Sequence, residues 1–306
     1  AIKLQTYTPN TLTIESDKED FKINSDHKLW KNSNLFDLYK RAYTDWDWIK
    51  EYFTYAQKIN LDCFTSVFDE TSIDFMESLN VCAYKIASFE NNHLPLIRMA
   101  AKTKKPLIIS TGLATEDEID EAVSVARENN CDQLALLKCT SDYPADVKDS
   151  NLLTIPYLKQ KYECQVGLSD HTIGLGASLA SIALGGTIIE KHFTTTREIE
   201  SVDSEFSANE SEFELLVREA NVISKSLGKV MFGYSSSEKK SIKFRRSIYA
   251  ISNIKKGEIF SKKNIGIIRP GYGIHPRYFD KLIGKKAPKE FSYGDRLENS
   301  ILKILE

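Results

Sequence analysis

Residues 106–139 read PLIISTGLATEDEIDEAVSVARENNCDQLALLKC, and this stretch sets the fold. Pro106-Leu-Ile-Ile-Ser-Thr111 and Leu134-Ala-Leu-Leu-Lys-Cys139 are short apolar runs of strand character. Between them, Glu116–Asn129 carries apolar residues at helical spacing, with Thr115 placed as its N-cap. Strand, helix and strand at this spacing form a parallel βαβ unit. The same rhythm recurs on both sides. Strand-like runs occupy Ala1–Thr6, Leu61–Ser66, Ala83–Ser88, Gln165–Ser169 and Thr187–His192, and Glu210–Leu227 is a second clear helical pattern.

Nearly every run ends in polar residues: Lys3 and Gln5, Ser66, Ser88 and Glu90, Ser110, Ser141, Ser169 to His171, Glu190 and His192. A (β/α)8 TIM barrel builds its active site at the C-terminal ends of its strands, whereas a doubly wound sheet gathers polar residues at one switch point. Polar ends spread over the whole series predict the α/β barrel. The barrel needs eight strands and the series supplies seven, so a first strand and helix of about 30–40 residues are expected ahead of Ala1. The barrel is expected over residues 1–233, a polar linker over 234–245, and a small β-rich domain over 246–306, with short runs at Ser247–Ser252 and Gly266–Ile268. The long insertion between Thr6 and Leu61 holds Leu29-Trp30 and Tyr43-Thr-Asp-Trp-Asp-Trp48, which suit a substrate cap or packing on the barrel rim.

The chain has 306 residues, 41 Lys plus Arg, 43 Asp plus Glu, and 42% hydrophobic residues. This is globular composition, and it excludes collagen, low-complexity disorder and nucleic-acid binding driven by bulk positive charge. The longest apolar stretch, near Ala177–Ile189, is too short for a bilayer span of about 20 residues. Five Cys without a C-x-x-C pair are expected as reduced thiols in a cytoplasmic protein. Charge is uneven: residues 238–306 carry +10 and the remainder −12. Two modules that attract one another, or a basic surface in solvent, both account for this.

His171 and His192 close adjacent strands and are expected at one mouth, within reach of a single divalent ion. Two imidazoles leave positions open for water and substrate oxygens. Lys3 and Lys85 project from barrel strands, where an ammonium needs an anion or a carboxylate. With Ser66, Ser88, Ser110 and Ser141 they would make a ring of donors suited to phosphate and carboxylate. Pairing with Glu90 or Glu190 is the alternative. There is no Walker loop and no G-x-G-x-x-G, so a nucleotide is not expected.

Ala1-Ile-Lys-Leu-Gln-Thr-Tyr-Thr-Pro9, Tyr84-Lys-Ile-Ala-Ser-Phe-Glu90, Ile109-Ser-Thr-Gly112, Lys138-Cys-Thr-Ser141 with Tyr143-Pro144, Gly167-Leu-Ser-Asp-His171 and Glu190-Lys-His-Phe193 together resemble the sialic acid synthase family. Arg246-Ser247, Ile254-Lys-Lys-Gly-Glu258, Arg269-Pro-Gly271 and Gly284-Lys-Lys-Ala287 resemble that family's antifreeze-like (SAF) domain. The resemblance implies condensation of phosphoenolpyruvate with an acylated amino-sugar aldehyde. It also implies Mn2+ or Mg2+ on His171 and His192. The phosphoenolpyruvate pocket would comprise Lys3, Ser66, Lys85, Ser88, Ser110, Ser141 and Ser169. Sugar contacts would come from Gln5, Glu90, Tyr143 and Asp203, and from Arg269 across a domain-swapped homodimer. Lys85 would act in catalysis, and Glu90 or Asp170 would handle the water proton. Asp203-Ser-Glu-Phe-Ser207 and the T-Y-T-P start point to the branch whose acceptor is 2,4-diacetamido-2,4,6-trideoxy-L-altrose. The family's first strand carries a Glu and a His-containing loop that this chain does not display.

Overall fold

The computed structural model describes residues 1–23, 34–198 and 203–305. They form two units, Ala1–Gly228 and Lys229–Glu306. Seven parallel strands build the first: β1 Ile2–Thr6, β2 Cys63–Val67, β3 Tyr84–Ile86, β4 Leu107–Ser110, β5 Leu134–Cys139, β6 Gln165–Asp170 and β7 Ile188–Lys191. They pair in chain order as one curled sheet, the parallel strand–helix barrel type that the sequence predicts. Among the described residues, β1 and β7 are its two edges.

The helices are α1 Pro9–Leu12, α2 Leu35–Ala42, α3 Trp46–Lys58, α4 Glu70–Ser78, α5 Leu94–Lys102, α6 Glu116–Glu128, α7 Thr154–Tyr162, α8 Gly176–Ala183 and α9 Glu210–Ser226. Helix α6 begins where its capping residue dictates: the Thr115 side chain accepts from the Glu118 amide and Glu118 reaches back to the Thr115 amide. Two of its apolar positions, Ala122 and Ala126, are buried.

Strand side chains alternate between faces with a period of two, and this separates core from site. Tyr84, Ile86, Leu107, Ile109, Leu136, Val166 and Leu168 point outward into a continuous core with Ile49, Phe53, Met76 and Ile97 from the helices. Full burial of each such side chain stabilises the fold by about 1.5–3 kcal/mol. The intervening residues line the concave side. Gly167 is one of them, and no larger residue fits there: a Cβ would lie 2.0 Å from the Ile188 carbonyl oxygen of the neighbouring strand.

The insertion after β1 packs as well as protrudes. Trp46 stacks on Phe75 with ring centres 4.7 Å apart and donates its indole N–H to the Tyr7 carbonyl, whereas Trp48 is exposed. Leu29 and Trp30 lie outside the described residues. In the second unit β8 Ser247–Ala250 pairs antiparallel with β9 Ile265–Ile268 over a core that includes Ile248, Phe260, Leu282 and Leu297. Part of the stretch expected as linker, Glu238–Phe244, winds as a 3₁₀ helix. No helix among the described residues is long and apolar enough to cross a membrane.

Candidate active site

Strand register brings the inward positions into rows. Ser66 pairs with Lys85, Cys139 with Ser169, and Ser169 with Glu190. Two residues beyond Ser169 and Glu190, still in phase, stand His171 and His192. Their ring centres are 5.3 Å apart and nearly perpendicular. His171 donates from Nδ1 to the Thr140 carbonyl at 2.8 Å, nearer than the Cys139 thiol at 3.9 Å. His192 places Nδ1 3.0 Å from the Asp203 carboxylate. Both partners are acceptors, so each Nδ1 carries a proton and Nε2 is the ring nitrogen left for a ligand. This is the outer arrangement that orients histidine ligands on a metal, and the ring separation is within the span of one cation holding two imidazoles. Among the described residues no three His, Cys, Asp or Glu side chains gather as a metal cluster. An ion held by these two imidazoles would take its remaining ligands from water or substrate oxygens.

Phe206 and Tyr143 wall this pair. Phe206 lies 5.8 Å from the His171 ring and 5.1 Å from the His192 ring, and Tyr143 lies 4.3 Å from His171. Burial raises the Tyr143 hydroxyl pKa, so it remains a donor.

Deeper in the concave side lies a cationic cluster. Lys3 and Lys85 both approach one carboxylate, Glu190, at 3.6 and 3.7 Å. Lys85 is 1% exposed and donates to the Ile86 carbonyl, Lys3 donates to Ser66, and Glu190 accepts from Ser169 at 2.7 Å. Burial works against ionisation of Glu190, yet the Lys85 and Lys3 ammonium groups hold its carboxyl below the usual range. Burial pulls the Lys85 ammonium down to about 8, against the pull of Glu190. Lysine pairing with a barrel carboxylate, the alternative weighed from sequence, is thus present. Two ammonium groups on one carboxylate still leave a surplus positive charge.

Hydroxyls converge beside it. A Cβ on Gly112 would fall 2.2 Å from the Ser141 Oγ and 2.7 Å from the Ser88 Oγ, so three strand ends meet over one glycine. Gly112 donates its amide to Ser88, and the Ser110 hydroxyl is buried without a protein partner. Glu90 also leaves a buried carboxyl oxygen unpartnered, and burial pushes this carboxyl up to about 7.

The structure does not bring every expected residue here. Asp170, expected beside Glu90 as a proton carrier, faces the other way. Its neighbours Ser169 and His171 point inward, so strand alternation turns it behind the sheet, where it is 2% exposed and bonded to Thr172, Ser178 and Lys191. Gln5 is exposed at β1, in register with Ser66. Arg269 is exposed one residue past β9 in the second unit. Glu190, named from sequence with Glu90 as an alternative partner for the lysines, is the carboxylate that both of them share. The Thr140 carbonyl and Phe206 were not assigned from sequence, and neither carried a signal there.

A half-barrel of parallel strands with a donor-lined mouth, followed by a small β domain, defines the class of protein to which this chain belongs. The chain is a member of the NeuB family, whose model matches residues 1–231, and residues 245–297 match the SAF domain. The pseudaminic acid synthase of Campylobacter jejuni (serotype O:23/36) is 44% identical over 98% of this chain and 87% of its own. The Helicobacter pylori pseudaminic acid synthase is 39% identical over 94% of this chain and 84% of its own. Among solved structures, the N-acetylneuraminic acid synthetase of Leptospira borgpetersenii, in complex with citrate, is 33% identical, covers 80% of each chain and has a TM-score of 0.68.

Proposed function

We propose that the chain condenses phosphoenolpyruvate with 2,4-diacetamido-2,4,6-trideoxy-L-altrose, giving a nine-carbon 2-keto sugar acid and phosphate. The observation that carries this is the placement of two imidazoles, each anchored through Nδ1, on the same concave face as the surplus-cation cluster of Lys3 and Lys85. Likeness to pseudaminic acid synthases over nearly the full chain supports the choice of acceptor. Mn2+ or Mg2+ held by His171 and His192 would polarise the aldehyde oxygen.

The protein's own groups then have defined tasks. Lys3 and Lys85 bind the phosphate and carboxylate of phosphoenolpyruvate, with Ser66, Ser88, Ser110, Ser141 and Ser169 as hydroxyl donors. Binding in this pocket aligns C3 of phosphoenolpyruvate with the aldehyde carbon. As the new C–C bond forms, positive charge grows at C2 and negative charge on the aldehyde oxygen. Water adds its oxygen to C2, and Glu90 takes one of its protons and passes it to the former aldehyde oxygen as that becomes a hydroxyl. The tetrahedral carbon collapses to the ketone as phosphate leaves with the other proton. Lys85 neutralises the departing group. Gln5, Tyr143 and Asp203 contact the sugar, and Arg269 of a domain-swapped homodimer completes that site.

Phosphate release measured with the altrose derivative, N-acetylmannosamine and the 6-deoxy-mannose analogue side by side tests the reading. Release should require phosphoenolpyruvate, a divalent ion and the altrose derivative together. Equal or faster release with either other aldehyde overturns the choice of acceptor.

Two variants probe the pocket. Gly112→Ala pushes a methyl group between Ser88 and Ser141, whose hydroxyls can rotate away, so the fold persists. Two hydroxyl contacts at about 0.5–1.5 kcal/mol each imply a KM for phosphoenolpyruvate roughly 10–100-fold higher. An unchanged KM would remove these serines from the pocket. Glu90 must be ionised to accept a proton, so kcat should fall as pH drops below about 7, and Glu90→Gln should lose that acidic limb along with most activity. The folded state holds this proton to higher pH than the unfolded chain, so stability contributed below pH 4.5 is lost as pH rises through about 7. Glu90→Gln should therefore gain on the order of 1–3 kcal/mol over the parent at pH 8, read by denaturant unfolding.

A further inference from the structure

Behind the two histidines, on the core side of the sheet, lies a buried ion pair with no role in the chemistry above. Asp170 and Lys191 are register partners at the ends of β6 and β7, 3.1 Å apart, and each side chain is 1% exposed. Among the described residues the pair is held by four polar contacts besides its own. Asp170 Oδ1 accepts from the Thr172 amide at 2.9 Å and its hydroxyl at 2.8 Å, and Oδ2 accepts from Ser178 of α8 at 2.5 Å and from Lys191. Lys191 also donates to the Thr172 carbonyl at 2.7 Å. The network ties three pieces of backbone together: the end of β6, the turn into α8, and the end of β7.

Its members sit in a telling place. Asp170 immediately precedes His171 and Lys191 immediately precedes His192. Because strand side chains alternate, fixing residue n on one face fixes the direction of residue n+1 on the other. Each charge therefore holds the backbone from which one imidazole projects, and their attraction sets the distance between the two strand ends. Stability alone gives a weak reason for such a pair, since apolar replacement of a buried ion pair is often neutral or stabilising.

We infer that Asp170 and Lys191 are positioning residues whose buried ion pair sets the spacing of His171 and His192 from behind the sheet. The inference rests on the reading of those histidines as a cation-binding pair. With the pair intact, both rings keep their Nδ1 partners, the Thr140 carbonyl and the Asp203 carboxylate. Without it, the strand ends relax independently, and the two Nε2 atoms no longer converge.

The test compares the full chain with Asp170→Asn/Lys191→Met, which removes both charges and leaves neither unpaired. Three quantities are read: Mn2+ affinity by titration, imidazole 15N shifts, and the midpoint of thermal unfolding. Mn2+ affinity should fall about 10–100-fold, as for other outer partners of metal ligands. The His171 and His192 ring signals should lose their single tautomer while the unfolding midpoint stays within a few degrees, and excess Mn2+ should restore part of kcat. Parental Mn2+ affinity with parental ring signals overturns the inference. So does a loss that merely tracks the unfolded fraction. If the double variant does not fold, Ser178→Ala removes one donor from the network and should show the same changes on a smaller scale. A parent chain that takes up no Mn2+ defeats the reading of the metal centre instead, and the ring signals then decide the positioning role alone.

Discussion

His192→Ala should abolish phosphate release in the presence of both substrates and Mn2+ while the chain stays folded. The side chain is only partly buried, and its polar partner among the described residues, Asp203, sits at 3.0 Å and can turn to water. Loss of the ring thus leaves no unpaired buried charge and little cavity. The functional loss is far larger. Polarisation of a carbonyl by a bound cation is worth several kcal/mol, and each 1.36 kcal/mol is a factor of ten, so turnover should drop on the order of 10³-fold or more. Parallel measurements of kcat and Mn2+ uptake check this, because both should fall together. Activity that survives at saturating Mn2+ would show that the second imidazole is not a ligand.

Lys85→Met is expected to have the next largest effect, and its sign depends on what is measured. The ammonium is 1% exposed and lies 3.7 Å from Glu190, which also faces Lys3 at 3.6 Å. Methionine fills much of the same volume, and Lys3 remains to balance Glu190. The fold is therefore predicted to tolerate the change better than Glu190→Ala, which strands two cations and should cost about 3–5 kcal/mol. With the surplus charge gone, the anion pocket fails. A charge-assisted bond of about 1.5–3 kcal/mol is lost in the ground state and more as phosphate departs, so kcat/KM for phosphoenolpyruvate should fall roughly 10²–10³-fold. Phosphoenolpyruvate should raise the unfolding midpoint of the parent and of His192→Ala, but not of Lys85→Met. A parent-like midpoint shift in Lys85→Met would remove this lysine from the pocket.

The fold was legible because its signals are local. Apolar runs five or six residues long, punctuated by polar ends, mark the strands, and Leu134–Cys139 runs over the same residues in sequence and structure. Boundaries slipped where tertiary structure overrode propensity. The run Ala83–Ser88 shortens to Tyr84–Ile86 because Ser88–Glu90 winds into a 3₁₀ turn. The site was legible one face at a time. A polar residue at a strand end points to the mouth only if its phase is inward, and Asp170 fails that test because His171 and Ser169 pass it. The same rule marks Glu190 as inward and Lys191 as outward. Contacts between distant segments left no local trace: nothing in the sequence announces that the Thr140 carbonyl receives the His171 proton or that Phe206 closes against both imidazoles.

One carboxylate set against two ammonium groups has a practical corollary for bench work. An electrostatic trap of this kind does not distinguish the incoming phosphoester from other small oxyanions. Sulfate and phosphate buffers should occupy it competitively, and the inorganic product, as it accumulates, should slow its own formation. Initial rates in oxyanion-free medium are therefore the ones that report the intrinsic turnover.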